Sequence, residues 1–423
     1  MSRGRRSVSA CAALFLLILS GAAISPGHAA DPERLIGAEK LRPFFLALTA
    51  LEQNRGHGPI RILQIGDSHT ANDSFSGRLR ERLQGRFGAT GRGWLPAGIP
   101  YKYFQPRLVS VSESGWRHLR PSDAGEKPPL GLDAVAAIAA EPDAHMTLTS
   151  SDPNGFDRVA IEFIAGPRGQ PLTVQVDQNA PVRIATSAPK VLVRRSELLL
   201  RRPGHQAELA VSGSPAAEVL GWTVERREKG IIYENHGSVG ATIGLLDKLS
   251  PAAVSFELAD RKPGLLVVAF GTNEGFRDEL NLTDYATHFR AAVAGLAKKA
   301  RGAAVLVIGP PDGNRRPAEC SGDAACHADG TVNGGSCVWA APPKLAEVRA
   351  IQRRIAIRQG WAFWDWAAAM GGSCAIDEWL RQDPPLAMPD HVHLSKAGYA
   401  VAADMLFADL MHGYDTSKRA PRR

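Results

Sequence analysis

The chain has 423 residues, 44% of them hydrophobic and 22% charged, with a formal charge of +7. Three of those positive charges, Arg3, Arg5 and Arg6, lie in the first thirty residues and four, Lys418, Arg419, Arg422 and Arg423, in the tail, which leaves residues 31–416 formally neutral. That distribution removes the electrostatic footprint of a nucleic-acid binder, and after the first thirty residues no stretch approaches the roughly 20 apolar residues of a membrane-spanning helix.

In chain order, the three arginines, the apolar stretch Ala10 to Ala22 and the small-residue end Gly27-His28-Ala29-Ala30 read as a cleaved secretory signal over residues 1–30. The expected mature chain is exported, periplasmic or secreted, with no stable membrane insertion once the signal is cleaved. The apolar run Ile60–Ile65 predicts a buried strand that ends in Gly66-Asp67-Ser68-His69, a tight turn presenting a serine as the next helix begins. Gly-Asp-Ser is equally ordinary turn and helix-cap chemistry. Phe75, Leu79, Leu83 and Phe87, at four-residue steps, predict that helix and its core face.

Between Gly93 and Arg227 helical periodicity gives way to short alternating runs, among them Val159–Ile164, Leu172–Val176 and Ala207–Val211. Such runs, separated by Gly, Pro and Asn, predict a β-sandwich inserted after the first strand and helix of an α/β domain. The expected division is residues 31–95 and 228–415 for the α/β part, 96–227 for the β-rich insert and 416–423 for a basic tail. Tyr101, Tyr103, Phe104 and Trp116 are candidate sugar-stacking aromatics, although an isolated aromatic is more often core. Arg194, Arg195, Arg201 and Arg202 could touch an anionic polymer and read first as a solvated strand face.

Further apolar runs at Ile231–Tyr233, Leu265–Phe270, Val305–Ile308 and Trp361–Trp364 each precede a helix-like segment, for instance the stripe Tyr285, Phe289, Val293 and Leu296. This alternation predicts a parallel sheet with helices on both faces. Ala241 and Thr242 are read as opening one of those helices. Pro310 to Pro343, rich in Gly, Pro, Asp and Cys, is too long for a passive connection. Of the five cysteines, Cys11 leaves with the signal, and Cys320, Cys326, Cys337 and Cys374 favour two disulfides over zinc, since they lack paired Cys-x-x-Cys knuckles. Their pairing stays open among three choices. A last helix is expected from Ser395, with Tyr399, Ala403, Leu406 and Leu410 on one side.

Attack on an ester carbonyl needs a nucleophile, a base, a group that orients the base, and donors for the oxyanion. Ser68 offers the hydroxyl, and its backbone N–H, at a helix start, can face developing negative charge. Asn235-His236-Gly237-Ser238-Val239-Gly240 follows the second strand, where glycine allows a close approach of backbone to substrate. Asn273, in Gly271-Thr272-Asn273-Glu274, is a neutral donor at the carboxyl end of a parallel strand, where open α/β sheets bind ligands. Asp390, three residues before His393, can bond the far ring nitrogen and fix the tautomer. His391 has the wrong spacing for that role and is expected on the rim. No companion ligand cluster points to a metal.

These four ordered blocks resemble the SGNH (GDSL-like) hydrolases, over residues of about 31–95 and 228–415. The resemblance implies a flavodoxin-like three-layer α/β/α hydrolase domain with Ser68 as nucleophile, His393 as base and Asp390 as its partner. Ser68, Gly240 and Asn273 would supply the oxyanion hole, and no metal or organic cofactor is needed. His69 stands where leucine often follows the serine. Gly-Asp-Ser-His with an inserted β-module is similar to bacterial peptidoglycan O-acetylesterases of the exported SGNH type. The expected substrate is therefore an acetylated polysaccharide of the cell envelope. The alternatives are an SGNH-type polysaccharide O-acetyltransferase and a non-catalytic glycan-binding protein.

Overall fold

The computed structural model describes residues 31–419 apart from positions 32, 57, 126, 212–216 and 317–338. The expected signal, the end of the basic tail, and Cys320, Cys326 and Cys337 lie outside the described residues.

The apolar runs expected as strands assemble into one sheet. Its order is Leu35–Ile36, Ala362–Trp364, Ala304–Ile308, Leu265–Ala269, Pro59–Gly66, Gly230–Gly237. Neighbours are parallel throughout, save the two-residue edge strand Leu35–Ile36, which is antiparallel to Ala362–Trp364. Numbered along the chain, the five parallel strands lie in the order 2-1-3-4-5, the flavodoxin-like winding. The order reverses between Pro59–Gly66 and Leu265–Ala269, and that crevice is where such a sheet holds its ligand.

These strands are apolar on both faces because helices cover both. On one side Ile62, Val267 and Leu306 pack with Phe75, Leu79 and Leu83 of the helix Ser74–Phe87 and with Tyr399, Leu406 and Leu410 of Lys396–Arg419. On the other, Leu63, Val268 and Val307 meet Tyr285, Phe289 and Val293 of Leu282–Lys299, and Val348 and Ile351 of Leu345–Gln359. The three-layer expectation therefore holds. Ala241 and Thr242 do not open a long helix. A 3₁₀ segment, Ile243–Lys248, comes first, and the helix Pro251–Arg261 starts where Pro251 pre-sets the backbone and the Ser250 hydroxyl accepts from Ala253 N–H at 3.3 Å.

Among the described residues no α-helix falls between Phe87 and Pro251. The intervening chain forms two antiparallel sheets, one of Val182–Ile184, Leu172–Val176, Gln206–Val211, His145–Ser150 and Val109–Ser114. The other runs Leu192–Gly204, Phe156–Ala165, Glu218–Glu225, Ala136–Ala139 and Trp116–Leu119. Gly91–Pro96, ahead of the expected boundary at residue 96, pairs with Glu218–Glu225. Inward residues of both sheets, such as Met146, Leu148, Val174 and Leu209 on one and Ile161, Phe163 and Trp222 on the other, share one core.

Buried charges join this β-rich part to the α/β sheet. Arg61, on a parallel strand, grips Glu225 through two bonds of 2.7 Å and reaches Glu234 at 3.1 Å. Arg261 lies over the Trp94 ring at 4.1 Å and within 3.5 Å of Glu162. Burial opposes the charge of His236, yet Asp133 at 3.0 Å pushes it up to about 9, so this ring is cationic at neutral pH.

One contact fixes the turn after the second parallel strand. A Cβ placed on Gly237 would lie 2.0 Å from the backbone N of Ala71, and backbone cannot swing aside as a side chain would. Gly237→Ala is expected to cost about 2–3 kcal/mol by overpacking and to displace the short helix Ser68–Ala71. A denaturant midpoint equal to that of the unmodified chain would contradict this.

Candidate active site

The site lies at the carboxyl ends of the parallel strands, beside the point where their order reverses. Pro59–Gly66 delivers Asp67 and then Ser68, which opens the helix Ser68–Ala71. Asp67 caps that helix, accepting from His69 N–H at 3.0 Å. Ser68 N–H is thus one of the donors that a helix start leaves without an intrahelical partner. Burial pushes the Asp67 carboxyl up to about 7, and the nearby Glu274 adds to this while the bond from His69 N–H opposes it.

Ser68, His393 and Asp390, 325 and 3 residues apart in sequence, meet in one line. Ser68 Oγ is 2.9 Å from His393 Nε2, and His393 Nδ1 is 2.7 Å from Asp390 Oδ2. The other Asp390 oxygen accepts the backbone N–H groups of His393 at 2.9 Å and Val392 at 3.0 Å. Burial would raise the Asp390 carboxyl, but the bonds from the His393 ring and these two N–H groups outweigh it and hold it well below the usual carboxylate range. The bond to Asp390 in turn raises His393 above the ordinary imidazole value, against the smaller effect of burial. With Asp390 accepting at Nδ1, the neutral ring carries its proton there and offers the Nε2 lone pair to Ser68.

The two further oxyanion candidates are tied together. Gly240 adopts φ +72°, a backbone conformation that favours glycine. Ser238 N–H donates to Gly66 O at 3.0 Å and so docks this turn against the strand that ends before Ser68. Asn273 donates through Nδ2 to Ala241 O at 2.8 Å, which orients its amide and leaves the second N–H of that group for another acceptor. Glu274 accepts from Ile243 N–H at 2.7 Å and pins the same two loops from behind.

His69 is buried, with Nδ1 at 2.9 Å from the Tyr399 hydroxyl and its ring edge-on to Trp366. Burial pushes it down to about 3, and the neighbouring His393 adds to that. A ring that stays neutral packs as an apolar side chain would, 5.2 Å from the His393 ring, without repelling a proton on it. This accounts for a histidine where leucine is often found. His391 departs from expectation: it is buried rather than on the rim, bonded to Asp377 and stacked on Trp339 with ring centres 3.7 Å apart. Its role is to hold the loop that carries Asp390 and His393.

Sequence reading missed the tether between the β-rich part and the serine helix. Tyr101 is not a free stacking ring, because its hydroxyl donates to Ala71 O at 2.6 Å. Of the four candidate aromatics, Tyr103 is the one strongly exposed, at 75%. Cys374 is buried beside the short helix Ala375–Leu380, and the rest of the expected pairing lies outside the described residues. Among the described residues no group of three or more His, Cys, Asp or Glu side chains is placed to hold a metal ion. Nor is any helix among them long and apolar enough to cross a membrane.

Comparison with known proteins bears on the family and the fold. The GDSL-like lipase/acylhydrolase family profile matches residues 208–401, a span that contains Gly240, Asn273, Asp390 and His393. A solved peptidoglycan O-acetylesterase superposes with a TM-score of 0.71 at 27% identity, covering 88% of this chain and 96% of that one. A putative GDSL-like lipase from Parabacteroides merdae matches at TM-score 0.30 and 18% identity, over 43% of this chain and 74% of its own. A family two carbohydrate esterase from Cellvibrio japonicus matches at 0.28 and 11%, over 73% and 98%. No curated protein sequence matches.

Proposed function

We propose a function from one premise: the chain belongs to the GDSL-like (SGNH) acylhydrolases and is a carboxylic ester hydrolase similar to peptidoglycan O-acetylesterases. Its reaction is removal of O-acetyl groups from a cell-envelope glycan, peptidoglycan first, by way of an acyl-serine. The observation that carries this reading is the unbroken line Ser68–His393–Asp390, at 2.9 and 2.7 Å.

In the first half-reaction Ser68 Oγ attacks the acetyl carbonyl as His393 Nε2 takes the hydroxyl proton. Asp390 holds the imidazolium that results. The oxyanion is met by the N–H groups of Ser68 and Gly240 and by Asn273 Nδ2, worth about 10²–10³ in rate per donor in comparable sites. Collapse breaks the bond to the sugar oxygen, which takes the proton from His393. Water then attacks the acetyl-serine with His393 again as base, and acetate leaves.

Hydrolysis rather than transfer is favoured because the relay is open to water, with the His393 side chain 40% exposed. The assembled relay also speaks against a purely binding role. We read the two antiparallel sheets as an inserted β-sandwich, residues 1–30 as an export signal, the compartment as periplasmic or extracellular, and the four mature cysteines as two disulfides.

The test is acetate release by residues 31–423 from O-acetylated peptidoglycan. Serine-dependent release supports the reading, and hydrolysis of small acetyl esters with no release from the polymer would contradict it. A pH dependence follows from His393. Only the neutral ring accepts a proton, and the bond to Asp390 raises its pKa. Measured kcat/KM is therefore expected to rise with pH through a midpoint above the ordinary imidazole value of 6.5, and to be lost as His393 is protonated below it. A pH profile flat through that region would contradict His393 as the base.

A further inference from the structure

A cleft lies between the loop after Pro96 and the start of the last helix. The chain between Pro96 and Val109 loops out of the β-rich part and is clamped beside the serine helix. Tyr101 Oη donates to Ala71 O, and Arg107 N–H donates to Asp73 Oδ2 at 2.8 Å. One side of this loop borders a cavity of about 70 Å³ against Gly237 and Ser238. The other side faces the start of the helix Lys396–Arg419 across a cleft of about 710 Å³, lined by Asn72, Arg78, Tyr103, Gln105, Arg107 and Lys396 among others. Only the larger space falls in the size range of ligand sites, about 300–1,000 Å³. Asn72 lies four residues after Ser68 and Lys396 three after His393, so two of its walls are close in sequence to the members of the reacting pair.

Its chemistry is one-sided. No acidic residue lines it. Asp404 holds Arg78 and Arg82, and Glu81 is shared by Arg78 and Arg107. Lys396, exposed, has no carboxylate partner among the described residues. Three cations, Arg78, Arg107 and Lys396, thus line the cleft, and the carboxylates that hold the two arginines, Asp404 and Glu81, lie outside its lining. Tyr103, 75% exposed, adds a flat apolar ring on the same wall. An exposed ring in a cleft that also presents Lys396 without a carboxylate partner suits a ligand with an apolar face and a negative charge.

We infer that this cleft holds the glycan strand next to the acetylated sugar, with a pyranose face on Tyr103 and a glycan carboxylate against Lys396 and Arg107. The preferred substrates are then acetylated glycans that bear carboxylates, a class that includes peptidoglycan with its peptide stems. The inference rests on the glycan-esterase reading and narrows it.

The test compares residues 31–423 with the variant Tyr103→Ala/Arg107→Gln/Lys396→Gln. Substrates are O-acetylated alginate and peptidoglycan, which carry carboxylates, neutral acetylated xylooligosaccharides, and 4-nitrophenyl acetate. Exposed charges contribute only about threefold each, so the triple change is expected to lower kcat/KM on the anionic polymers by about thirtyfold, mainly through KM. That loss should exceed the loss on the neutral substrates by about tenfold, and the anionic preference should shrink as salt rises. Equal losses on every substrate, or no loss, would overturn the inference. The control Arg201→Gln/Arg202→Gln removes exposed arginines elsewhere on the β-rich part and should keep the preference. Loss of the preference in that control would move the anion site away from the cleft and also overturn it. An unmodified chain that cleaves polymers without anionic preference sinks the cleft alone. One that cleaves only 4-nitrophenyl acetate sinks the glycan-esterase reading itself.

Discussion

Ser68→Ala is expected to lower kcat/KM for acetyl esters by about 10⁴–10⁶-fold, with His393→Ala close behind and the double variant no worse than either alone. The two residues act as one unit. Ser68 Oγ is a poor nucleophile until His393 Nε2, 2.9 Å away, takes its proton, and an unprotonated His393 has nothing to activate once the hydroxyl is gone. A residual rate above water should survive in both, because the N–H groups of Ser68 and Gly240 and the amide of Asn273 still meet an oxyanion. The Ser68→Ala variant keeps its backbone N–H, and the capping bond from His69 N–H to Asp67 does not involve the lost hydroxyl, so its stability should stay near that of the parent. Additive losses in the double variant would show that the two act independently.

The second large effect is expected from Asp390→Asn, a fall in kcat of about 10²–10³-fold. Where the aspartate of such a relay is deeply buried, exchange to asparagine costs about 10⁴, because the amide turns the imidazole to the wrong tautomer. Here the Asp390 side chain is 49% exposed, so water can solvate the altered ring and part of the loss is recovered. One oxygen is already fixed by the N–H groups of Val392 and His393. That leaves the new NH₂ pointing at His393 Nδ1, where it donates instead of accepting. The same exchange removes the bond that raises His393, so the acid limb of the pH profile should move to lower pH while its height falls. A variant with reduced height and an unmoved limb would mean that Asp390 supports the loop without tuning the base.

The candidate site was legible because each block is local. Gly66-Asp67-Ser68, Gly271-Thr272-Asn273 and Asp390-x-x-His393 are read within a few residues, and parallel strands place their carboxyl ends together whatever the intervening chain does. Buried stripes such as Phe75–Leu79–Leu83–Phe87 were legible for the same reason, since one helix face repeats in the sequence. What escaped depends on contacts between distant segments. Tyr101 reads as a loose aromatic until its loop is folded back onto Ala71. His391 reads as a rim residue until Asp377 and Trp339, from other parts of the chain, close over it. Nothing local in the sequence pairs Arg61 with Glu225 and Glu234, whose mutual burial comes from docking the β-rich part on the sheet. Gly91–Pro96, at the expected boundary, carries no local sign of its pairing, because its partner Glu218–Glu225 lies more than a hundred residues on.

The account stands most directly on a covalent acetyl-serine. Residues 31–423 mixed with excess 4-nitrophenyl acetate, quenched in acid within the first turnovers and digested, should yield the peptide containing Ser68 heavier by one acetyl group. The label should be absent from Ser68→Ala and should decay as water deacylates the serine when the labelled protein is freed of substrate. Full turnover with no acetyl on that peptide, or with the acetyl on another residue whose loss abolishes activity, would contradict it.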